Sequence, residues 1–301
     1  MHVDLLQSAS SCPAEPAEPA EPADPIERAV QRPSVSVAGT ELIHIPGATF
    51  MMGSTAAEVA RTEREWGEAL LEAAYRPQFR SWLMKEVPAH PVQVAPFRLA
   101  RFPIRNDEYR QFLAASGATG LPWSQPESLA RHLPDDHPVW GVSLAEVHAY
   151  LAWRGARDGL AWRLPSEAEW EWAAAGPAGR RYPYGEQFDA TRCNTIEAGR
   201  ASTSAVDAHP GGASDFGVED LAGNVEEWTA SPYQPYPGAP AVHDDLMRLL
   251  GPGYPVLRGG SFGLGGDLAR TRRRHGRHPA ARFRITGFRL ALDGEPMGER
   301  A

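Results

Sequence analysis

Lysine is almost absent from this 301-residue chain: of 30 basic residues, only Lys85 is not an arginine. Cysteine is nearly as scarce. Cys12 and Cys193 cannot build a disulfide framework, which fits a reducing compartment, so the cytoplasm is the expected location. No run approaches the roughly 20 apolar residues that a membrane-spanning helix needs, and no membrane partner is expected. The opening MHVDLLQSASSCPAEP has neither a basic segment nor an apolar core of secretory-signal type. Residues 1–40 contain no Phe, Trp or Tyr and carry the repeat AEPAEPAEPADP. Such a stretch buries too little apolar surface to offset its ordering entropy, so residues 1–40 are expected to form a disordered leader.

What the chain has in abundance is punctuation: 29 glycines and 28 prolines, together with nine tryptophans. That combination points to a loop-rich fold held by aromatic packing. Glu41–Ile45 alternates like a strand, Pro46-Gly47 predicts a turn, and Ala48–Met52 reads as its hairpin partner. Residues 55–75 place Val59, Trp66, Leu70 and Leu71 near one helical face. HPVQVAPFRLARFPI after Pro88 reads as strands. Asn106 is expected to cap a helix that stops at Gly117, and Ser143 to cap a longer one. Ser166-Glu167-Ala168-Glu169 is a capping box, in which serine and glutamate satisfy each other's exposed amides, and Gly176 closes that helix. No long helix is expected beyond Gly176. With no internal repeat or linker, residues 41–294 are expected to be one domain, followed by a short tail, 295–301.

Several motifs occur in a fixed order: IPGATFMMGS, PVQVAPFRLARFPIRNDEYRQFL, HPVWGVSLAEVHAYLAW, RLPSEAEWEWAA, YPYGE, DLAGNVEEW, RGGSF and GFRLAL. This succession, covering about residues 41–292, resembles the sulfatase-modifying-factor family. That family includes formylglycine-generating enzymes and relatives in ergothioneine and pyoverdine biosynthesis. The resemblance implies an α+β fold, a variant of the C-type-lectin-like fold with little regular secondary structure, two small helices, twisted antiparallel strands and long loops.

DLAGNVEEW sets Asp220 and Glu227 around a tight turn, and carboxylates with backbone carbonyls are the hard oxygen donors that calcium prefers. By resemblance, the side chains of Asp220 and Glu227 and the carbonyls of Gly223 and Val225 match a structural Ca2+ site; the alternative is a solvated acidic turn. A second calcium site would begin at Asn194 and Thr195, but the loop after them is short and offers only Glu197. Otherwise Asn194 is a turn residue.

In formylglycine-generating enzymes two cysteines near the RGGS motif bind copper(I), an ion suited to soft thiolates. The matching positions here are Leu264 and Ala269, and neither Cys12 nor Cys193 offers a pair at that spacing, so copper is not expected. The ergothioneine-pathway relatives use iron held by histidines of a helical domain with no counterpart in this sequence. His275, His278 and Asp267 could be drawn as a two-His-one-carboxylate iron set, although histidines in an arginine-rich loop are more often surface residues or anion contacts. His44, His90, His137 and His148 read as packed or hydrogen-bonded structural residues.

Between residues 258 and 289 nine arginines face one acid, Asp267, in a chain whose formal net charge is -8. Guanidinium groups bind carboxylates and phosphates bidentately. Arg273 and Arg277 match arginines that flank the family's active groove. With Ser261, Phe262, His275 and the Gly263–Gly266 loop they are the candidates for a groove that takes a peptide or a small anionic ligand. In the opposing reading, the arginines pair with acids elsewhere in the fold. Nucleic acid is a weaker partner for an acidic chain. Trp170, Trp172 and Trp228 are expected in the core. Three functions fit these features: a diverged oxidase-like or tailoring enzyme that is not a copper-dependent formylglycine generator, a non-catalytic ligand-binding module, or a scaffold that recruits another chain through its leader.

Overall fold

The computed structural model describes residues 34–70, 73–117, 133–242, 244–280 and 282–294. Residues 1–33 of the expected leader and the tail from 295 lie outside the described residues. Folded structure begins before residue 41. Strand β1 (Ser34–Val37) pairs antiparallel with β2 (Thr40–Ile45) across Ala38 and Gly39, at φ +48° and +80°. Two successive positive φ angles make the tight turn whose twist suits a hairpin. Residues 34–40, expected in the leader, are therefore part of the folded structure. The sequence hid β1 because this edge strand buries no side chain fully and so carries no hydrophobic signature.

β3 (Ala48–Met52) follows the Pro46-Gly47 turn, but it is not the hairpin partner of β2. It forms a separate ribbon with β4 (His90–Val94), while β2 lies between β1 and β5 (Phe97–Ala100). Gly47 is the crossing point: a Cβ there would stand 2.8 Å from the Pro96 ring. Between the ribbon strands lie α1 (Ala56–Trp66), held by a Thr55–Glu58 capping box, and α2 (Arg76–Leu83). α3 (Asn106–Ser116) ends at the left-handed Gly117 as expected, although Asn106 is its first helical residue, not its cap. Buried Asn106 donates from Nδ2 to the Pro134 carbonyl. α4 (Leu144–Asp158) starts at the Ser143 box and stops at left-handed Gly159. In α5 (Glu167–Ala175), Ser166 Oγ accepts from Glu169 N, and Glu169 Oε2 accepts from Ser166 N.

Beyond α5 the chain is mostly loop, with β6 (Glu226–Pro232), the short α6 (Asp245–Leu250), β7 (Pro255–Arg258), β8 (His275–Gly276), β9 (Thr286–Gly287) and β10 (Ala291–Asp293). β10 closes the first sheet in the order β1-β2-β5-β10, and the second sheet runs β8-β7-β6-β9, with β6 and β9 parallel. The described residues hold six α-helices where the resemblance implied two small ones. None of these helices is long and apolar enough to cross a membrane.

Two apolar clusters carry the fold. α3 and α4 contribute Tyr109, Phe112, Val147 and Tyr150, packed with Trp228, Leu257, Phe288 and Leu290. α5 contributes Trp170, Trp172, Ala173 and Ala174 against Ile43, Ile45, Phe97 and Leu99. The three expected core tryptophans are there, and each indole N–H has an acceptor: Glu227 Oε2 for Trp170, the Pro46 carbonyl for Trp172 and the Val142 carbonyl for Trp228. Lys85 is buried as well. Its ammonium pairs with Asp244 at 2.6 Å, and burial, against the pull of that carboxylate, draws its pKa down to about 8.

Candidate functional site

The 258–289 segment folds inward. Eight of its nine arginines lie within 4 Å of a carboxylate, and most of those carboxylates come from distant parts of the chain. Arg258 bridges Glu167 and Glu171 of α5, and Arg274 takes Glu167 through Nε and Nη2. Arg270 binds Glu86 bidentately at 2.9 and 2.8 Å and also reaches Asp267, whose other oxygen accepts from Arg273 Nε at 2.9 Å. Burial raises the Asp267 carboxyl pKa, but Arg273 and Arg270 outweigh it and hold the group below its ordinary range. Glu167 behaves alike through Arg274 and Arg258. For Glu171 burial wins over Arg258 and the pKa is raised.

This corrects two of the groove candidates. Arg273 is buried and fixed on Asp267, so it lines no groove. Ser261 is fully buried, its hydroxyl accepting from Gly263 N inside the turn. Arg277 stacks on Phe283 at 4.4 Å and stands 3.8 Å from Glu226, with neither facing atom hydrogen-bonded. His275 Nδ1 meets Glu226 Oε1 at 2.5 Å. Burial lowers the His275 pKa against the pull of Glu226, while His275 and Arg277 keep the Glu226 carboxyl low despite its burial. His275, His278 and Asp267 do not converge: Asp267 is clamped by arginines, and exposed His278 accepts from the Ala280 amide. Among the described residues no three His, Cys, Asp or Glu side chains gather as a metal site. Of the four histidines read as structural, His90 and His137 are partly buried and bonded, to Pro88 O and Thr203 Oγ1, whereas His44 and His148 are exposed.

The calcium candidates are brought near one another without forming one open cage. Glu227 is occupied: Arg289 donates to both its oxygens at 2.7 and 2.6 Å, and Trp170 donates to one of them. Asp220, at φ +55°, meets only Asn224 Nδ2 among side chains, at 2.9 Å. Burial outweighs the Asn224 hydrogen bond and the pull of Arg289 and pushes the Asp220 pKa up to about 8. Gly223 and Val225 lie between the two acids; Gly223 is packed so closely on Asn194 that a Cβ would stand 2.4 Å from the Asn194 carbonyl oxygen. In the second set Asn194 and Thr195 are fully buried, and Asn194 Nδ2 donates to Ser202 O, Ser204 Oγ and Asn224 Oδ1, leaving its own Oδ1 without a donor. The nearby acid Glu197 is turned to the Gly266 amide at 3.0 and 3.1 Å.

Around the second copper position the surroundings are apolar. Ala269 is buried with Tyr182, Tyr184, Ala222 and Cys193. Sequence spacing had set Cys193 apart from position 269, yet the fold puts both in one cluster. Burial raises the Cys193 thiol pKa. With no sulfur at 264 or 269, these residues do not fit a copper(I) pair.

A cleft of about 370 Å3 opens beside this turn, lined by Ile196, Gly199, Arg200, Ala201, Phe262, Gly263, Arg284 and Ile285. Leu264, next in the chain to Gly263, accepts from Ile196 N through its carbonyl. Arg284 is the ninth arginine of the segment and the one without a carboxylate among the described residues. Arg200 and Ile196, from a loop 60 residues earlier in the chain, were not among the sequence candidates. The surplus of unpaired arginine was the signal, and only the pairing pattern reveals it.

The chain spans about half to three-fifths of the length of the curated hercynine oxygenases it matches. It is 31% identical to that of Mycolicibacterium smegmatis over 85% of this chain and 62% of the relative. It is 34% identical to the Mycobacterium tuberculosis protein over 70% and 56%. Bovine (Bos taurus) inactive C-alpha-formylglycine-generating enzyme 2 is 32% identical, over 71% of this chain and 83% of its own. Among solved structures, PvdO from Pseudomonas aeruginosa superposes with a TM-score of 0.65 at 24% identity, covering 85% of this chain and 95% of PvdO. Treponema denticola variable protein 1 gives a TM-score of 0.63 at 16% identity, over 87% and 99%. These likenesses confirm the α+β, C-type-lectin-like fold class. The model of the sulfatase-modifying factor enzyme 1-like domain matches residues 27–294, and the chain belongs to that family.

Proposed function

We propose that this protein is a diverged oxidase-like tailoring enzyme that acts on a peptide or small anionic substrate by a route other than copper thiolates at positions 264 and 269. The observation that carries this reading is the cleft: it opens beside Phe262 and Gly263, in the turn that leads to those two positions. The similarity to hercynine oxygenases supports oxygen chemistry in this part of the family. Measuring metal content and oxygen uptake with candidate peptides and small acids tests it. Stoichiometric iron or copper with substrate-dependent oxygen consumption supports the enzyme; calcium alone with no uptake overturns it. The second reading, a non-catalytic binding module, is favoured by the apolar surroundings of Ala269 and by the clamping of Asp267.

We also propose a structural calcium ion at Asp220, with the carbonyls of Gly223 and Val225. The support is a buried carboxylate that makes no ion pair among the described residues, although Arg289 pulls on it from nearby; a divalent ion would supply the missing positive charge. Glu227 is left out of that set because Arg289 already satisfies it. Cys193, the one free thiol among the described residues, is buried and supports a reducing, cytoplasmic setting.

A further inference from the structure

We propose that the cleft beside Phe262 is a carboxylate site: Arg284 and Arg200 hold the acid group of a small ligand whose flat apolar body lies against Phe262, Ile196 and Ile285. The assignment rests on the cleft being the working site of the protein and names what it accepts.

The chain has 38 acidic residues and 30 basic ones, so carboxylates were available to every arginine. Eight of the nine arginines between 258 and 289 took one. Arg284 has instead a single bond to the Ala201 carbonyl, at 3.3 Å, and two aromatic neighbours, the Trp140 and Phe262 rings at 5.8 and 5.9 Å. Arg200, which also lines the cleft, has no carboxylate partner among the described residues. Glu197 is the acid nearest in sequence to this wall, and its two oxygens are engaged by the Gly266 amide. A cleft wall with two uncompensated guanidinium groups is a wall of donors waiting for an acceptor.

A third donor lies near Arg284 and Phe262. Trp140 is only 2% exposed, yet its indole N–H has no acceptor, and its ring packs edge-on to Phe262 at 6.1 Å. A buried N–H without an acceptor costs free energy, and this one belongs to a ring that neighbours Arg284 and Phe262, two residues of the lining. The rest of the lining, Ile196, Phe262, Gly263 and Ile285, is apolar or lacks a side chain. At about 370 Å3 the cleft has the size of a small-molecule site. Guanidinium forks match a carboxylate bidentately, and the aromatic floor favours a planar body over a bare inorganic anion.

Calorimetric titration of the full chain with phenylacetate, its neutral isostere phenylacetamide, a short peptide ending in phenylalanine, and inorganic phosphate tests the assignment. Phenylacetate or the peptide terminus is expected to bind at least tenfold more tightly than phenylacetamide and phosphate. Which of the two binds tells a free acid from a chain end. Arg284→Gln and Arg200→Gln are each expected to weaken binding tenfold or more. Both side chains are exposed, so circular dichroism should be unchanged. Equal binding of acid and amide, phosphate as tight as phenylacetate, no binding of any acid, or full affinity in Arg284→Gln overturns the site. Binding is read without turnover, so a bound acid with no oxygen uptake removes only the enzymatic reading. Oxygen uptake without preference for a carboxylate removes only this one.

Discussion

Asp220→Asn should stabilise the protein, an unusual expectation for a residue in a candidate metal site. In the folded chain the Asp220 carboxyl has a pKa of about 8 against an ordinary 3.8. The folded state therefore holds a proton that the unfolded state has released between those two values. The stability associated with that proton is fully present below pH 4 and is lost as pH rises toward 8. At roughly 1.4 kcal/mol per pH unit, the loss reaches about 4 kcal/mol at pH 7 and about 2 kcal/mol at pH 5.5. Asparagine keeps an oxygen to accept from Asn224 Nδ2 and has nothing to ionise. Urea denaturation in EDTA at pH 5.5 and pH 7 is the assay: wild type should lose about 2 kcal/mol between the two, and the variant should lose that much less. If both proteins show the same change with pH, the burial argument for Asp220 is wrong. Calcium is expected to raise the wild-type melting temperature by mass action and to narrow the gap to the variant. No shift on adding calcium would remove the ion from Asp220.

Other expectations follow from the packing. Asp267→Asn leaves Arg270 and Arg273 buried with Glu86 as their remaining carboxylate, and should cost about 3 kcal/mol or more in denaturation experiments. An unchanged melting temperature would mean that Glu86 alone can hold both arginines. Gly223→Ala should be worse than its size suggests. Its φ of +80° disfavours any side chain, and the new Cβ would press on the Asn194 carbonyl. A loss of a few kcal/mol is expected, read as a lower urea midpoint. Wild-type stability would show that the 194–223 contact can open.

The helices were legible because their ends are written locally. Ser143, Ser166, Gly117 and Gly176 act on backbone groups within four residues, so the sequence carries the whole signal. Strand partners were not legible. Ala48–Met52 alternates equally well whether it pairs with β2 or β4, and the choice depends on where β5 and α5 pack. The same distinction separates the two readings of the arginine-rich segment. Its charge is visible by counting, but Glu86, Glu167 and Glu171, which neutralise much of it, lie some 90 to 180 residues away. Arg284 and Arg200 could not be picked out until the pairing of the others was known. The order of motifs, by contrast, specified the family, because it samples the whole domain and no single contact decides it.

The burial of Lys85 gives the protein a built-in reporter. Apart from the α-amino group at the start of the chain, its ammonium is the one primary amine in the sequence, and it is 1% exposed in its pair with Asp244. An amine-reactive ester added to the folded protein finds no side chain to acylate. Each acylated Lys85 therefore records one opening of the interior, and mass spectrometry can count such events without an engineered probe. Any cellular modification that requires an accessible lysine must likewise wait for the fold to open there.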